Sequence, residues 1–335
     1  MLDHLFRKPD KTDSYAGAST TKRLIEIDFL RCTAMIWNVC IWHLRPFPAA
    51  WVDTAIYPVM HDITQMCLGA FMFSAGYCLA AKYSFHSSRD VFSFYWRRIL
   101  RIVPLLVIAT LTFPELPDVH PHLAQLFACT GLSSYIPTAV AGRVWTVWFV
   151  SMLLSFYLLL PALTSKKHPL FAGAILLLFA AGHWLLDWDW RLLDYFPAFY
   201  LGTIIGRGGE KRLFQLAAIC FPVAILMSIL SLHSSIMDVC REFVGFSLFI
   251  LPAHLLARHS HLRMFYRWGV YVSFCAYLFH RHFFFYYLPL LGPATDPVLR
   301  TIQHLLITFP LLFVVSFLIQ KAYDMALKPF SRKAA

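Results

Sequence analysis

Charged residues are scarce in this chain of 335 residues, and their scarcity excludes most soluble folds. Only 14% of the residues are charged, against about 25% in an ordinary globular domain. Hydrophobic residues make up 59% and aromatic residues 17%, which is more apolar surface than a soluble domain of this size can bury. The sequence therefore predicts an all-α integral-membrane protein, a polytopic helical bundle whose apolar surface is covered by the lipid bilayer.

Patterns typical of a disulfide or zinc framework are also lacking. Eight cysteines are present, but seven lie within or at the edge of apolar segments and Cys129 lies alone in a predicted loop, so no pairing can be read. We predict no bound metal. The formal net charge is +11, but Lys and Arg occur in short clusters between apolar runs, which indicates membrane topology and not nucleic-acid binding.

Apolar segments bounded by charge, proline or glycine predict about ten transmembrane helices. The third and sixth segments are short, so we expect them to be tilted, broken or partly re-entrant. The stretch 123–142 is interrupted by small residues and Pro137, and we expect an outer-side or re-entrant segment there that does not cross the membrane. The ten predicted spans are 24–44, 56–81, 99–113, 145–163, 169–186, 195–206, 213–232, 239–257, 268–289 and 299–320.

With ten spans, every cluster of Lys and Arg falls on one side of the membrane, and the opposite gaps hold mostly acidic residues. The positive-inside rule then predicts that both termini are cytoplasmic. We expect a cytoplasmic segment at 1–23, an integral-membrane domain at 24–320 and a cytoplasmic tail at 321–335. No site typical of signal-peptide cleavage follows the first apolar run, so we expect that run to be retained.

The first predicted helix carries Arg31 about two turns in and His43 near its far end, two residues that lipid should reject. Such residues in a span cost roughly 2.5 to 3.5 kcal/mol on insertion scales and are functional candidates by default. The two lie about 18 Å apart along an α-helix. Arg31 is also explained by snorkelling and an ion pair with Asp28. His43 is explained either as an interfacial residue or as a general base for a hydroxyl.

Several motifs in the same order resemble those of the acyltransferase-3 family, bacterial integral-membrane enzymes that acylate surface glycans. The resemblance covers nearly the whole chain, although each motif alone is weak. The residues that carry it are Asp28-Phe29-Leu30-Arg31 with His43, Phe71 to Tyr77, Tyr95 to Pro104, Trp145 to Pro161, Phe199 to Gly202 and Ser273 to His280.

The chain departs from the family pattern in three places. Eleven residues separate Arg31 from His43, where the family usually has ten. In a regular α-helix the extra residue moves the two side chains from nearly one face to about 120° apart. Either a π-bulge absorbs it or the pair does not work as in relatives. The second-helix dipeptide is interrupted by Ala75, and Leu153 and Leu154 stand where many members have a Glu.

The resemblance implies transfer of an acyl group, most simply acetyl, from cytoplasmic acyl-CoA to a hydroxyl of a cell-surface polysaccharide or lipid-linked glycan. His43 would be the catalytic residue, as a base or as the carrier of the acyl group. Arg31 and three arginines of the third helix, Arg97, Arg98 and Arg101, would bind the donor, with Arg97 and Arg101 one turn apart for the CoA phosphates. The arginines are also explained by topology alone. No cofactor would be bound permanently.

Five further residues are candidates for the site. Asp62 could fix the tautomer of His43, or lie in a solvated loop-end pair with His61. Tyr277 and His280 continue a polar stripe from Ser273, which we expect to face the bundle interior as donor contacts or as links between helices. Trp145 and Trp148 could stack on sugar rings or belong to an interfacial belt.

Two other functional classes remain open from the sequence. A secondary transporter or flippase would also explain short spans and charges within the membrane, and an inactive relative would explain the altered Arg31 to His43 spacing. Under the enzyme interpretation we expect a multi-pass protein of a bacterial inner membrane. The gap 114–142 is our candidate for an acceptor lid. The acceptor, the acyl chain and the oligomeric state cannot be read.

Overall fold

The computed structural model describes residues 24–44, 57–113, 120–137, 140, 147–230, 235–256, 259–292 and 296–333. Helices account for nearly all of this part of the chain, and it contains no β-strand. This confirms the predicted all-α class.

Thirteen α-helices follow one another in the described residues, joined or extended by short π and 3-10 segments. The α-helices are α1 (Ile25–Ile36), α2 (Tyr57–Lys82), α3 (Ser88–Leu111), α4 (Pro121–Thr130), α5 (Val147–Leu163), α6 (His168–Leu186), α7 (Arg191–Gly208), α8 (Glu210–Leu230), α9 (Ser235–Val244), α10 (Phe246–Leu256), α11 (Ser260–Tyr287), α12 (Pro297–Gln303) and α13 (Phe309–Lys333). The first π segment is Trp37–Trp42 and the second is His304–Thr308, while 3-10 turns occupy Ser133–Tyr135 and Leu288–Leu291.

Each of the ten predicted spans coincides with helix in this order. Five stretches are long and apolar enough to cross a membrane, which supports a multi-pass membrane protein; the full count of ten and the cytoplasmic termini stay predictions. The five stretches are Tyr57–Lys82, His168–Leu186, Glu210–Leu230, Ile236–Leu256 and Val298–Lys328.

The third and sixth spans are longer than their hydropathy suggests. All but the last two residues of the third lie in α3, which has 24 residues, and the sixth lies within the 18 residues of α7. Both helices continue through an internal proline. Helix α3 begins well before its apolar part because Ser87 and Asp90 form a capping box, which satisfies backbone N–H groups at the helix start. The expectation of broken helices was therefore wrong, although tilt is compatible with both lengths.

Among its described residues, the segment between the third and fourth spans contains one short α-helix, one 3-10 turn and one further helical residue, Val140. Helix α4 has 10 residues, or about 15 Å, half of the hydrocarbon thickness. It packs on α3 through a hydrogen bond from Gln125 Nε2 to the Thr110 carbonyl, 3.3 Å long. Among the described residues of 123–142, no helix is long enough to cross a membrane. That this stretch is an outer-side or re-entrant segment stays a prediction.

Helix α2 lies at the centre of the bundle, with most of its side chains buried. Its backbone lies close to that of α7 because Gly76 and Gly202, which have no Cβ, lie at the contact. A Cβ at Gly76 would meet the Phe199 carbonyl, and one at Gly202 would meet the Phe73 carbonyl. Small residues allow helices in membranes to approach in this way. Large exposed apolar side chains lie instead on α6, α8 and α13, which indicates lipid-facing helices around a fixed core.

Candidate functional site

The extra residue between Arg31 and His43 is absorbed by the first π segment. Helix α1 changes into this π segment at Trp37, and the backbone N–H of His43 donates to the Asn38 carbonyl five residues back, at 2.9 Å. A hydrogen bond to the fifth residue accommodates one more residue per turn than the α-helical bond to the fourth. The π-bulge alternative is therefore confirmed. A hydrogen bond from Trp37 Nε1 to Thr64 Oγ1, 3.0 Å long, ties the segment to α2.

His43 lies against the polar stripe of α11. Its ring stacks on the His280 ring, with centroids 4.7 Å apart and planes inclined by 8°, and its centroid is 6.1 Å from that of Tyr277. His280 is fully buried and Tyr277 nearly so. Ser273 is also buried, which confirms that the stripe faces the interior. We call His43 and His280 the imidazole pair.

Hydrogen bonds orient the imidazole pair only in part. His280 Nδ1 lies 2.7 Å from the Tyr277 carbonyl oxygen. Within the described residues, His280 Nε2 and His43 Nδ1 are buried without a hydrogen-bond partner. One nitrogen of each ring is thus available to bind a ligand or to take part in a reaction.

A line of aromatic rings connects Arg31 to the imidazole pair. The Arg31 guanidinium lies 5.6 Å from the Phe71 ring centroid. Phe71 contacts Phe149 at 5.4 Å, and Phe149 contacts Tyr277 at 5.1 Å between centroids. Tyr277 in turn contacts both imidazoles. Arg31 and His43, although on one interrupted helix, therefore border the same interior surface.

The arginines of α3 cluster at the other end of this line. Arg98 lies over the rings of Tyr83 and Tyr157, 5.4 and 5.5 Å from their centroids, and donates to Tyr83 Oη at 3.3 Å. Arg101 has an exposed side chain and interacts electrostatically with Arg98 and Arg31. The repulsion among Arg31, Arg98 and Arg101 is compensated when they bind an anion. We call these three residues, together with Arg97 of α3, the arginine end.

Asp324 of α13 adds a negative charge beside the arginine end. It accepts hydrogen bonds from Tyr271 Oη at 2.6 Å and from Gln320 Nε2 at 2.9 Å, and it attracts Arg101. Arg97, the fourth predicted arginine, is half-buried on α3. Asp324 of α13, which is hydrogen-bonded to Tyr271 of α11, thus places a negative charge beside Arg101 of α3.

Asp62 pairs with an arginine that the sequence analysis did not consider. Its Oδ1 lies 3.4 Å from Arg241 Nε and 3.8 Å from His61 Nδ1. Arg241 Nη1 also lies 2.9 Å from Asp238 Oδ1. Asp62 and Arg241 are both almost fully buried. The role of Asp62 as an orienting group for His43 stays a prediction, and the ion pair ties α2 to α9.

We call His61, Asp62, Asp238 and Arg241 the ion-pair cluster. Its histidine and carboxylates have the spacing of metal ligands, but the positive charge beside them is the Arg241 guanidinium. Ligand atoms of His61, Asp62 and Asp238 lie within 4.8 Å of one another, and the Arg241 guanidinium contacts both carboxylates. His61 Nε2 is also 3.0 Å from Gln65 Nε2, and Gln65 Oε1 accepts a hydrogen bond from Tyr195. The cluster is best explained as a buried polar link between α2, α7 and α9.

Trp148 has one ring face covered by a cation. The Arg191 guanidinium lies 4.1 Å from its ring centroid, close enough for a strong cation–π contact. Arg191 is also 3.5 Å from Asp189. A sugar could therefore stack only on the other face of Trp148. Trp145 lies outside the described residues.

Several residues that build this site were missed by sequence reasoning. Phe71 and Phe149 complete the aromatic line; both lie in segments that carry the family resemblance, but neither was predicted as a site residue. Arg281, which is buried and interacts electrostatically with both rings of the imidazole pair, could have been noticed. It lies between His280 and His282, so three consecutive ionisable residues interrupt an apolar helix.

Comparison with known proteins gives one result. Residues 24–321 match the family model of the acyltransferase-3 domain, described as an acyltransferase domain. No curated protein and no solved structure matches the chain. The match spans all the residues that form the imidazole pair and the arginine end.

Proposed function

Since the chain belongs to the acyltransferase-3 family and is a membrane acyltransferase, we propose that it transfers an acetyl group from cytoplasmic acetyl-CoA to a hydroxyl of a surface glycan. The acceptor would be a cell-surface polysaccharide or a lipid-linked glycan on the outer side of a bacterial inner membrane. The donor, the acceptor and the membrane are the parts of this proposal that go beyond the family match.

The observation that carries the proposal is the continuous line from the arginine end to the imidazole pair. Guanidinium groups bind phosphates by charge-assisted, often bidentate hydrogen bonds, and CoA carries its phosphates at one end and its thioester at the other. The aromatic line of Phe71, Phe149 and Tyr277 lies between the two groups. A donor lying along it would have its nucleotide at the arginines and its thioester at His43.

The imidazole pair supports acyl transfer at the far end of that line. A neutral imidazole can remove the proton of a hydroxyl or can attack a thioester itself. His43 is half-buried, so its ring can be reached from outside the core. The thioester of the donor could then meet the acceptor hydroxyl at His43, while the charged nucleotide and the acceptor stay on opposite sides of the bilayer.

Polar side chains beside the imidazole pair support a hydroxyl-rich acceptor. The Trp42 ring, next to His43, lies 6.0 Å from that of His61, and His61 belongs to the ion-pair cluster of Asp62, Asp238 and Arg241. Of this cluster, the side chains of His61 and Asp238 are partly exposed. Sugar hydroxyls both donate and accept hydrogen bonds, so they match an accessible imidazole and carboxylate.

The donor part of the proposal can be tested with purified protein in detergent. We expect CoA to raise the thermal midpoint and acetyl-CoA to be hydrolysed slowly. Arg101→Gln should weaken CoA binding about tenfold or more, because it removes a charge-assisted hydrogen bond. Arg267→Gln is the matched control, since Arg267 is an exposed arginine of α11. Equal CoA affinities for both variants would remove the arginine end from donor binding.

The acceptor part requires cells. Mass spectrometry of surface glycans from cells with and without the protein should show acetyl esters only when the protein is present. Cells that carry His43→Ala should resemble cells without the protein. Full acetylation in the His43→Ala cells would contradict the assignment of His43 as the catalytic residue.

A further inference from the structure

His280 is held in one tautomer by its own helix. Its Nδ1 lies 2.7 Å from the backbone carbonyl oxygen of Tyr277. A carbonyl oxygen only accepts hydrogen bonds, so Nδ1 carries the proton and donates it. In the neutral ring the other nitrogen, Nε2, is then an unprotonated base.

That base is buried and has no hydrogen-bond partner among the described residues. His280 is 0% exposed, and its Nε2 is one of the unsatisfied buried atoms. A buried acceptor without a partner costs roughly 1 to 3 kcal/mol. A histidine whose only role was to link helices would be expected to use both nitrogens. The free Nε2 beside His43 therefore points to a ligand that donates a proton.

We propose that His280 is a second catalytic imidazole, whose Nε2 takes the proton of the acceptor hydroxyl while His43 carries the acyl group. This inference rests on the proposed function and adds the route of the proton to it. It also selects the acyl-enzyme route over direct transfer.

The reaction has two covalent steps. In the first, a ring nitrogen of His43 attacks the thioester carbonyl carbon, the C–S bond breaks and the CoA thiolate stays bound beside the imidazole pair. In the second, the acceptor oxygen attacks the acyl carbon and its proton moves to His280 Nε2. The C–N bond breaks, its electron pair returns to His43 and the ester is released. Protonated His280 then gives its proton to the thiolate, which leaves as the CoA thiol.

The stacking of the two rings suits this sequence of charges. The acyl-imidazolium of His43 is positive, and its charge disappears as His280 gains a proton, so one positive charge passes between rings whose centroids are 4.7 Å apart. The pair never holds two charges at once. Arg281, which interacts with both rings, adds repulsion against such a doubly charged state.

His280→Asn separates this role from a structural one. The Asn amide can still donate to the Tyr277 carbonyl but has no group equivalent to Nε2. With water as the hydroxyl acceptor, we expect acetyl-CoA hydrolysis to fall by about 100-fold or more, the usual contribution of a general base. Hydroxylamine attacks an acyl-imidazole without a base, so acetohydroxamate formation should continue. Added imidazole should restore part of the hydrolysis. His43→Gln should lose both reactions.

Several outcomes would overturn the inference. Hydrolysis by His280→Asn at the wild-type rate would exclude His280 as the base. Loss of both reactions, with CoA still raising the thermal midpoint, would place His280 before acyl uptake and not after it. If CoA does not raise the thermal midpoint of His280→Asn, that variant is misfolded and His280→Gln is measured instead. If the ratio of acetohydroxamate formation to acetyl-CoA hydrolysis in His280→Gln equals the wild-type ratio, His280 is not the base. A wild-type protein that neither binds CoA nor hydrolyses acetyl-CoA would instead refute the proposed function.

Discussion

Among the described residues, two π segments occur, one next to the half-buried His43 and one that contains the buried His304, and their surroundings differ. The first, Trp37–Trp42, lies between α1 and α2 and leads to His43, which stacks on His280. The second, His304–Thr308, joins α12 to α13 and exposes three consecutive apolar residues, Leu305 to Ile307. His304 donates or accepts a hydrogen bond with Thr308 and stacks on Phe309.

The comparison shows that a π segment with a histidine is not a site by itself. Among the described residues, the ring contact of His304 is with a phenylalanine, whereas that of His43 is with another imidazole. The first segment faces the polar interior and the second presents its apolar residues outward. π-Bulges are frequent at functional sites, but here the neighbouring helix decides which one carries chemistry.

The largest expected difference between the two segments is in catalysis. His43→Gln should lower acetyl-CoA hydrolysis by about 100- to 10,000-fold, since it removes the reacting imidazole. His304→Gln should leave the rate nearly unchanged, because His304 does not border the aromatic line. Stabilisation by CoA, measured on both variants, checks that each is folded. If His304→Gln still bound CoA but lost most of its acetyl-CoA hydrolysis, the second segment would also be part of the catalytic machinery, contrary to this comparison.

The register of the first segment gives the next effect. Deleting Ile41 should turn the π segment into regular α-helix and leave His43 on the face of Arg31, so activity should stay within about tenfold of wild type, less than the loss that a misplaced catalytic group causes. Inserting an alanine after Ile41 should rotate His43 by about 100° and lower acetyl-CoA hydrolysis by about 100-fold. If the deletion abolished hydrolysis and the insertion did not, the π segment would have another purpose than absorbing a residue.

The sequence could predict much of this because hydropathy and motif spacing act locally. Apolar runs predicted ten spans, each of which contains helix among its described residues. The extra residue between Arg31 and His43 predicted the π-bulge as one of two alternatives. Helix α3 was underestimated since charged residues such as Arg97 end a hydropathy window without ending the helix. The capping residues Ser87 and Asp90 could have indicated its true start.

Contacts between distant helices could not be predicted from local patterns. The stack of His43 on His280 depends on how α1 packs against α11, and the ion pair of Asp62 with Arg241 depends on α2 packing against α9. A single sequence states which side chains are polar but not which of them meet. Arg281 was passed over for the same reason, although its position beside His280 was visible.

The smallest effect concerns the hydrogen bond that holds each π segment. Trp37→Phe removes the bond from Nε1 to Thr64, and Thr308→Val removes the hydroxyl beside His304 Nδ1. Each should lower the free energy of unfolding by about 1 kcal/mol, which is measured as a similar fall in thermal midpoint. Only Trp37→Phe should also slow acetyl-CoA hydrolysis, by a few-fold, because it loosens the segment that positions His43. Equal rates in the two variants would mean that the first segment is positioned by its packing on α2 and not by this bond.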